Sequence, residues 1–211
     1  MDVADLRREY ALATLDESGV ARDPVAQFAR WFDQALAAKA ADANAMALAT
    51  IGADGRPTLR IVLLKDYGPD GFVFYTNQSS RKGAELVHNP AAALNFYWPE
   101  LERQVRIEGR ASRVSADEAD RYFATRPRGS QLAAWASPQS EPVSGRQELE
   151  ARLAEVAKRF AGAEVSRPPH WGGYRVRPDL VEFWQGRESR LHDRIRYRLI
   201  DSRWIIERLA P

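Results

Sequence analysis

The sequence predicts a mainly β fold with α additions, its short strands closing into a barrel. Three features carry that expectation. Short runs rich in β-branched and aromatic residues recur from Met46 to Arg208, turn signals such as Ala53-Asp54-Gly55-Arg56 and Pro69-Asp70-Gly71 separate them, and only a few stretches show helical periodicity. At 211 residues, without internal repeat or low-complexity linker, the chain suits one domain over 23–211 behind an arm of residues 1–22.

The arm is polar and aperiodic and reads as mobile. Asp23-Pro24 then opens a helix, a capping residue followed by proline in the first turn, with Phe28, Trp31, Phe32, Ala35 and Leu36 on one face. Strands follow at 46–51, 58–64, 72–76, 91–98 and 103–114. Ser115-Ala116-Asp117-Glu118 is a capping box for a helix that must stop near Arg126-Pro127. Ser144-Gly145-Arg146-Gln147 reads as a second, with Leu149, Leu153, Val156 and Phe160 as a core-facing stripe. Strand-like pieces at 174–176, 180–184, 194–200 and 204–208 close the chain.

Composition narrows the chemistry. A net charge of +2 is small for this length, so the pI near 9.0 does not imply a nucleic-acid or membrane partner. The absence of cysteine excludes disulfides, thiolate metal sites and a cysteine nucleophile, and suits a cytoplasmic location. His88, His170 and His192 are scattered, so no protein-bound metal is expected. The first ten residues lack the apolar core of a signal peptide, and no run approaches a membrane span, so a soluble protein that is not exported is expected. No GxGxxG follows a strand and no Walker sequence occurs, which argues against a Rossmann nicotinamide site and a P-loop.

Three segments could carry chemistry. Trp184-Gln185-Gly186-Arg187-Glu188-Ser189-Arg190-Leu191-His192-Asp193-Arg194 sets a large aromatic, three guanidinium groups and an imidazole in one turn-sized stretch, suited to a flat anionic ligand or to an Arg-rich surface hairpin. Tyr75-Thr76-Asn77-Gln78-Ser79-Ser80-Arg81-Lys82-Gly83 offers hydroxyls and adjacent cations at a helix start, as a phosphate site or a solvated loop would. Tyr122 and Arg126 share a helix face with Ser130 just beyond, forming a second anion site or a helix end that caps itself.

Taken together, Arg60-Ile61-Val62-Leu63-Leu64-Lys65, Phe72-Val73-Phe74-Tyr75-Thr76-Asn77, Ser80-Arg81-Lys82-Gly83, Tyr122-x-x-x-Arg126-Pro127-Arg128-x-Ser130-Gln131, Gln139-Ser140, Glu182-Phe183-Trp184-Gln185-Gly186 and Arg190-Leu191-His192-Asp193-Arg194 give the chain a pattern that resembles the pyridoxine/pyridoxamine 5′-phosphate oxidases, in the expected order from Arg7-Arg8-Glu9-Tyr10 to the last residue. The resemblance implies a homodimeric FMN-binding split β-barrel that oxidises pyridoxine or pyridoxamine 5′-phosphate to pyridoxal 5′-phosphate, hydride passing to FMN and O2 reoxidising it to give H2O2. It implies that Arg60, Ile61, Val62, Leu63, Leu64, Lys65, Tyr75, Thr76, Arg81 and Lys82 hold FMN from one subunit, while Gln104, Gln139, Ser140, Trp184 and Arg194 reach it from the other. Lys65, Tyr122, Arg126 and Ser130 would take the substrate phosphate. Arg190, Leu191 and His192 would lie at the pyridine ring, with Arg190 and His192 catalytic, under a flap of Arg7, Arg8, Glu9 and Tyr10. Another split-barrel flavin reductase, a flavin or vitamin-phosphate carrier and a basic nucleic-acid-binding barrel are the competing readings.

Overall fold

The structure is a computed structural model describing residues 2, 3 and 9–211. Alternation decides the core face of most strands. β1 (Ala45–Ile51) buries Met46, Leu48 and Thr50, β5 (Ala91–Trp98) buries Ala92, Leu94, Phe96 and Trp98, and β6 (Arg103–Arg113) buries Val105 and Ile107. β4 (Gly71–Asn77) is buried at nearly every position, as expected of a strand covered on both faces. With β2 (Pro57–Leu63), β3 (Asp66–Gly68), β7 (Trp171–Gln185), β8 (Asp193–Ile200) and β9 (Arg203–Leu209), they form one antiparallel sheet ordered β2-β1-β5-β6-β7-β4-β3, β8 pairing with β7 and β9 with β8.

The two ends of that path are consecutive in the chain. Leu64 N–H donates to Asn44 O on the β1 side and Lys65 N–H to Val73 O on the β4 side, each at 2.8 Å, so the chain changes partner within two residues and the sheet curls into a barrel. β7 is shared. One edge pairs with β6 from Tyr174 to Gln185, whereas the other meets β4 at Trp171–Val176 and β8 at Leu180–Gln185. Pro178 lies at that changeover, opposite a register shift between Glu108 and Gly109; a Cβ on Gly109 would fall 2.0 Å from Arg177 O. The two expected strands at 174–176 and 180–184 are therefore one, because a bulge absorbs a proline that looks like a break.

α1 (Pro24–Ala37) begins where Asp23 accepts the N–H groups of Val25 and Ala26, both at 2.9 Å. It fills the barrel mouth with Phe28, whose ring meets Phe72, Phe96 and Tyr67 within 5.0 Å and whose burial contributes about 1.5–3 kcal/mol. Leu36, expected on that face, is exposed. α2 (Arg81–His88) follows β4, and α3 (Ala116–Thr125), capped by Ser115, stops before Arg126-Pro127 as expected. α4 (Arg128–Ala136) was not legible: it starts directly after Pro127 and buries only Ala136, so it shows no stripe. α5 (Arg146–Arg159) begins at Gly145, Ser144 instead bonding Glu148, and none of its residues is buried within the chain; of the expected stripe only Phe160, just past its end, is buried.

The arm is more fastened than its composition suggests. Glu102 Oε2 accepts the N–H groups of Ala11 and Leu12 at 2.9 and 3.1 Å, Asp193 Oδ2 accepts that of Leu15 at 3.0 Å, and Tyr197 Oη donates to Ala21 O at 2.7 Å. Those partners lie 90 to 178 residues away in sequence, beyond the reach of local pattern. Arg7 and Arg8 lie outside the described residues. Among the described residues no helix is long and apolar enough to cross a membrane.

Candidate active site

A cleft of about 1000 Å³ opens between β2, the end of β4 with the start of α2, the α3–α4 corner and the loop after α4. That is the upper end of the usual range for small-molecule sites, about 300–1000 Å³. Its lining includes Arg60, Ile61, Val62, Leu63, Lys65, Tyr75, Thr76, Arg81 and Lys82, and also Tyr122, Arg126 and Ser130. Leu64 is not among them; strand alternation turns it into the core.

One end of the cleft is cationic. Lys82 is 9% exposed, and its ammonium donates to Thr76 Oγ1, Ser80 Oγ and Gln139 Oε1 at 3.2–3.3 Å. All three acceptors are neutral, and among the described residues no carboxylate comes within ion-pair distance; burial, then Arg60, lowers its pKa. Arg60 and Arg81 instead share Glu85 on α2, at 3.1 and 2.9 Å. Gln139 and Ser140, which the resemblance assigns to the other subunit, line this same cleft within their own chain, on the loop after α4, with Ser140 at φ +77°.

The other end is aromatic and holds one guanidinium. Tyr75, Tyr122 and Trp171 stack nearly parallel, with centroids 4.0 Å apart for the tyrosines and 5.4 Å for Tyr75 and Trp171. Arg126 lies 4.6 Å from the Trp171 ring, and its Nη1 is buried without a hydrogen-bond partner. A buried donor left unmade costs about 1–3 kcal/mol, more when charged, so the atom awaits an acceptor. Burial, then Glu118, pushes the Tyr75 phenol up to about 12, keeping it neutral near pH 7.

The remaining expected residues form a second group that does not line this cleft. Register aligns Gln104, Trp184 and Arg194 across β6, β7 and β8. The Trp184 ring lies 4.6 Å from His192 and 5.7 Å from Tyr10, and a Cβ on Gly186 would meet Tyr10 at 2.7 Å. Arg194 is held by Glu182 at 2.8 Å. His192 Nδ1 accepts Arg187 N–H at 3.1 Å, so the neutral ring carries its proton on Nε2. Burial, then Arg190, lowers the His192 pKa. Glu9, Arg190 and Leu191 are exposed, and Ser189 and Arg190 both adopt positive φ, 53° and 60°. On the same outer face of the sheet, Leu59, Ile61 and Leu63 of β2 are 70%, 66% and 43% exposed.

Residues 32–160 match the family described as pyridoxamine 5′-phosphate oxidase, and residues 171–211 the pyridoxine 5′-phosphate oxidase C-terminal dimerisation region. The chain belongs to the pyridoxamine 5′-phosphate oxidase family. It is 60% identical over 210 residues to the pyridoxine/pyridoxamine 5′-phosphate oxidase of Rubrobacter xylanophilus, spanning 100% of this chain and 97% of that protein. With that of Bordetella petrii it shares 60% over 213 residues and all of both chains. PhzG from Burkholderia lata 383, solved in complex with tetrahydrophenazine-1-carboxylic acid, matches with a TM-score of 0.89 at 32% identity over 95% of this chain and 100% of that one. A pyridoxamine 5′-phosphate oxidase-related, FMN binding protein from Nostoc punctiforme shares the fold, with a TM-score of 0.69 at 19% identity over 86% and 96%. The fold is thus the split β-barrel that the resemblance implied, and the pyridoxamine 5′-phosphate oxidase family brings with it a flavin cofactor and a C-terminal region for dimerisation.

Proposed function

We propose that the protein is an FMN-dependent oxidase that converts pyridoxine 5′-phosphate and pyridoxamine 5′-phosphate to pyridoxal 5′-phosphate. The observation that carries this reading is that one cleft holds two separate cationic groups: the Lys82 ammonium, bonded to neutral acceptors alone, at one end and the orphaned Arg126 Nη1 at the other. Two monophosphates, one on the cofactor and one on the substrate, match two such sites. The residues present fit FMN, with Arg60, Arg81 and Lys82 for its phosphate, Thr76, Gln139 and Ser140 as polar neighbours, and the exposed edge of β2 over 61–63 for its ring. Bound FMN would supply the hydride acceptor and, through reoxidation by O2, yield H2O2.

The protein's own part is positioning and proton placement. Arg126, Tyr122, Ser130 and Lys65 anchor the substrate phosphate, and that binding energy fixes the pose of the pyridine ring. His192 and Arg190 orient the substituent on the 4′ carbon. With Nδ1 occupied by Arg187 N–H, neutral His192 presents Nε2–H as a donor. Because Gln104, Trp184, Arg190, His192 and Arg194 stand apart from the cleft of their own chain, the proposal places them in the cleft of a second copy, brought there by the uncovered β2 face and the 171–211 region. Two composite sites per homodimer follow.

Oxygen uptake by FMN-loaded protein with pyridoxine 5′-phosphate tests the reading, with H2O2 and pyridoxal 5′-phosphate formed in equal amounts as the expected result. Tetrahydrophenazine-1-carboxylic acid has a carboxylate and no phosphate; its oxidation with no turnover of either vitamin phosphate would overturn the proposal.

A further inference from the structure

Behind the cationic end of the cleft, paired with two of its cations, lies a carboxylate, the wrong sign for an anion site. Glu85, 6% exposed on α2, accepts hydrogen bonds from Thr50 Oγ1 at 2.5 Å, Thr58 Oγ1 at 2.6 Å, Arg81 Nε at 2.9 Å and Arg60 Nη2 at 3.1 Å. The two hydroxyls are relays: each donates its hydrogen to Glu85 and accepts from the Arg60 guanidinium, Thr50 from Nη1 and Thr58 from Nη2. Leu48 O accepts from Nη1 as well, at 3.2 Å. Burial alone would raise the Glu85 carboxyl, but the hydrogen bonds from Thr50, Thr58, Arg81 and Arg60 outweigh it and hold it at about 2, so it stays ionised over the physiological range. One carboxylate therefore ties a guanidinium from β2 to a guanidinium from α2.

We infer that Glu85 is a positioning residue for the phosphate end of the cofactor, its carboxylate locking Arg60 and Arg81 in the orientation in which, with Lys82, they receive a dianionic monophosphate. The inference rests on the FMN reading above. Two considerations support it. Arg60, Arg81 and Lys82 contribute three positive charges, and Glu85 removes one, leaving a net of two beside a phosphate that carries about −1.5 to −2 near neutral pH. Ordering two long side chains before the anion arrives also removes part of the entropy cost of binding it.

Glu85→Gln separates positioning from charge, because the two act with opposite sign. If charge alone mattered, neutralising a carboxylate beside an anion site would tighten binding; if Glu85 holds the guanidinium groups in place, binding weakens. The full-length protein, stripped of flavin, is titrated with FMN and with riboflavin, which has the same ring and no phosphate, by flavin fluorescence. Wild-type protein is expected to prefer FMN strongly. Glu85→Gln should weaken FMN by about tenfold to a hundredfold and leave riboflavin within about twofold. Thr50→Val, in the core and outside the cleft lining, keeps the carboxylate and removes one relay; it should weaken FMN by about threefold to tenfold, and it decides the matter if Glu85→Gln does not fold. FMN affinity unchanged or increased, or an equal loss for both flavins, overturns the positioning role. Wild-type protein that binds both flavins alike overturns the FMN reading, and this inference with it.

Discussion

Lys82 is a buried cation surrounded by neutral acceptors, so removing it relieves its burial and takes away a charge-assisted donor. Lys82→Met should keep the fold and lower FMN affinity by about 1.5–3 kcal/mol, roughly tenfold to over a hundredfold, by equilibrium dialysis. At the other end, Arg126→Leu should raise KM for pyridoxine 5′-phosphate far more than it lowers kcat, since a phosphate anchor acts on ground and transition states alike; a loss confined to kcat would remove Arg126 from that role. His192 supplies a pH dependence. Its folded pKa is lowered by burial and Arg190, so between that value and about 6.5 the unfolded chain binds the proton and the folded chain does not. Stability from this group is therefore present above about 6.5 and lost as pH falls through the folded value, where protonation of Nδ1 also breaks the Arg187 bond. His192→Leu should flatten the acidic limb of the Tm profile and cut turnover by about a hundredfold with flavin content intact. The cations of the site were legible in the sequence because Arg and Lys beside hydroxyls suggest an anion. Glu85 and Trp171 were not. A carboxylate argues against such a site until its partners are seen, and Trp171 gains its role only when β7 carries it under Arg126.

Elements succeed or fail by how close their backbones come. In α2, a Cβ on Gly83 would fall 2.1 Å from Gln78 O, so the helix that carries Arg81, Lys82 and Glu85 lies directly on the turn before it. Gly83→Ala must push them apart, at a cost of about 1–3 kcal/mol, and should lower Tm and FMN retention together. Unchanged values of both would show that the turn gives way freely. The strands of the sheet and α1, α3 and α5 were readable from alternation, turn residues and caps. What escaped has physical reasons. β3 is three residues long, α4 has no buried stripe, and of the α5 stripe only Val156 and Phe160 reach a core within the chain, Leu149 and Leu153 staying outside it. Periodicity reports burial against something, and says nothing of whether that something is the same chain.

At the scale of the assembly, the two groups of proposed site residues belong to different parts of one sheet, and a shared site is a statement about symmetry. One chain with Lys82→Ala and another with both Trp184→Ala and Arg194→Ala should each be poorly active alone. In a mixed dimer isolated by distinct tags, one site collects every lesion and the other none, so about half the wild-type activity per dimer should return. A folded heterodimer no better than its parents would place each site within one subunit. The fastening of the arm has a further consequence, for the order of events during synthesis. Leu15 is held by Asp193, and Arg208 reaches back to Leu15 O at 3.0 Å and to Glu17 at 2.8 Å, across as many as 193 residues. Strands early in the chain can pair as they leave the ribosome. Residues 15–17 cannot dock until β8 and β9 have been made and folded. A nascent chain paused before β8 would therefore carry a formed first cleft and an arm without its Asp193 and Arg208 partners, making the stretch after Leu12 the preferred point of attack for a protease in the interval.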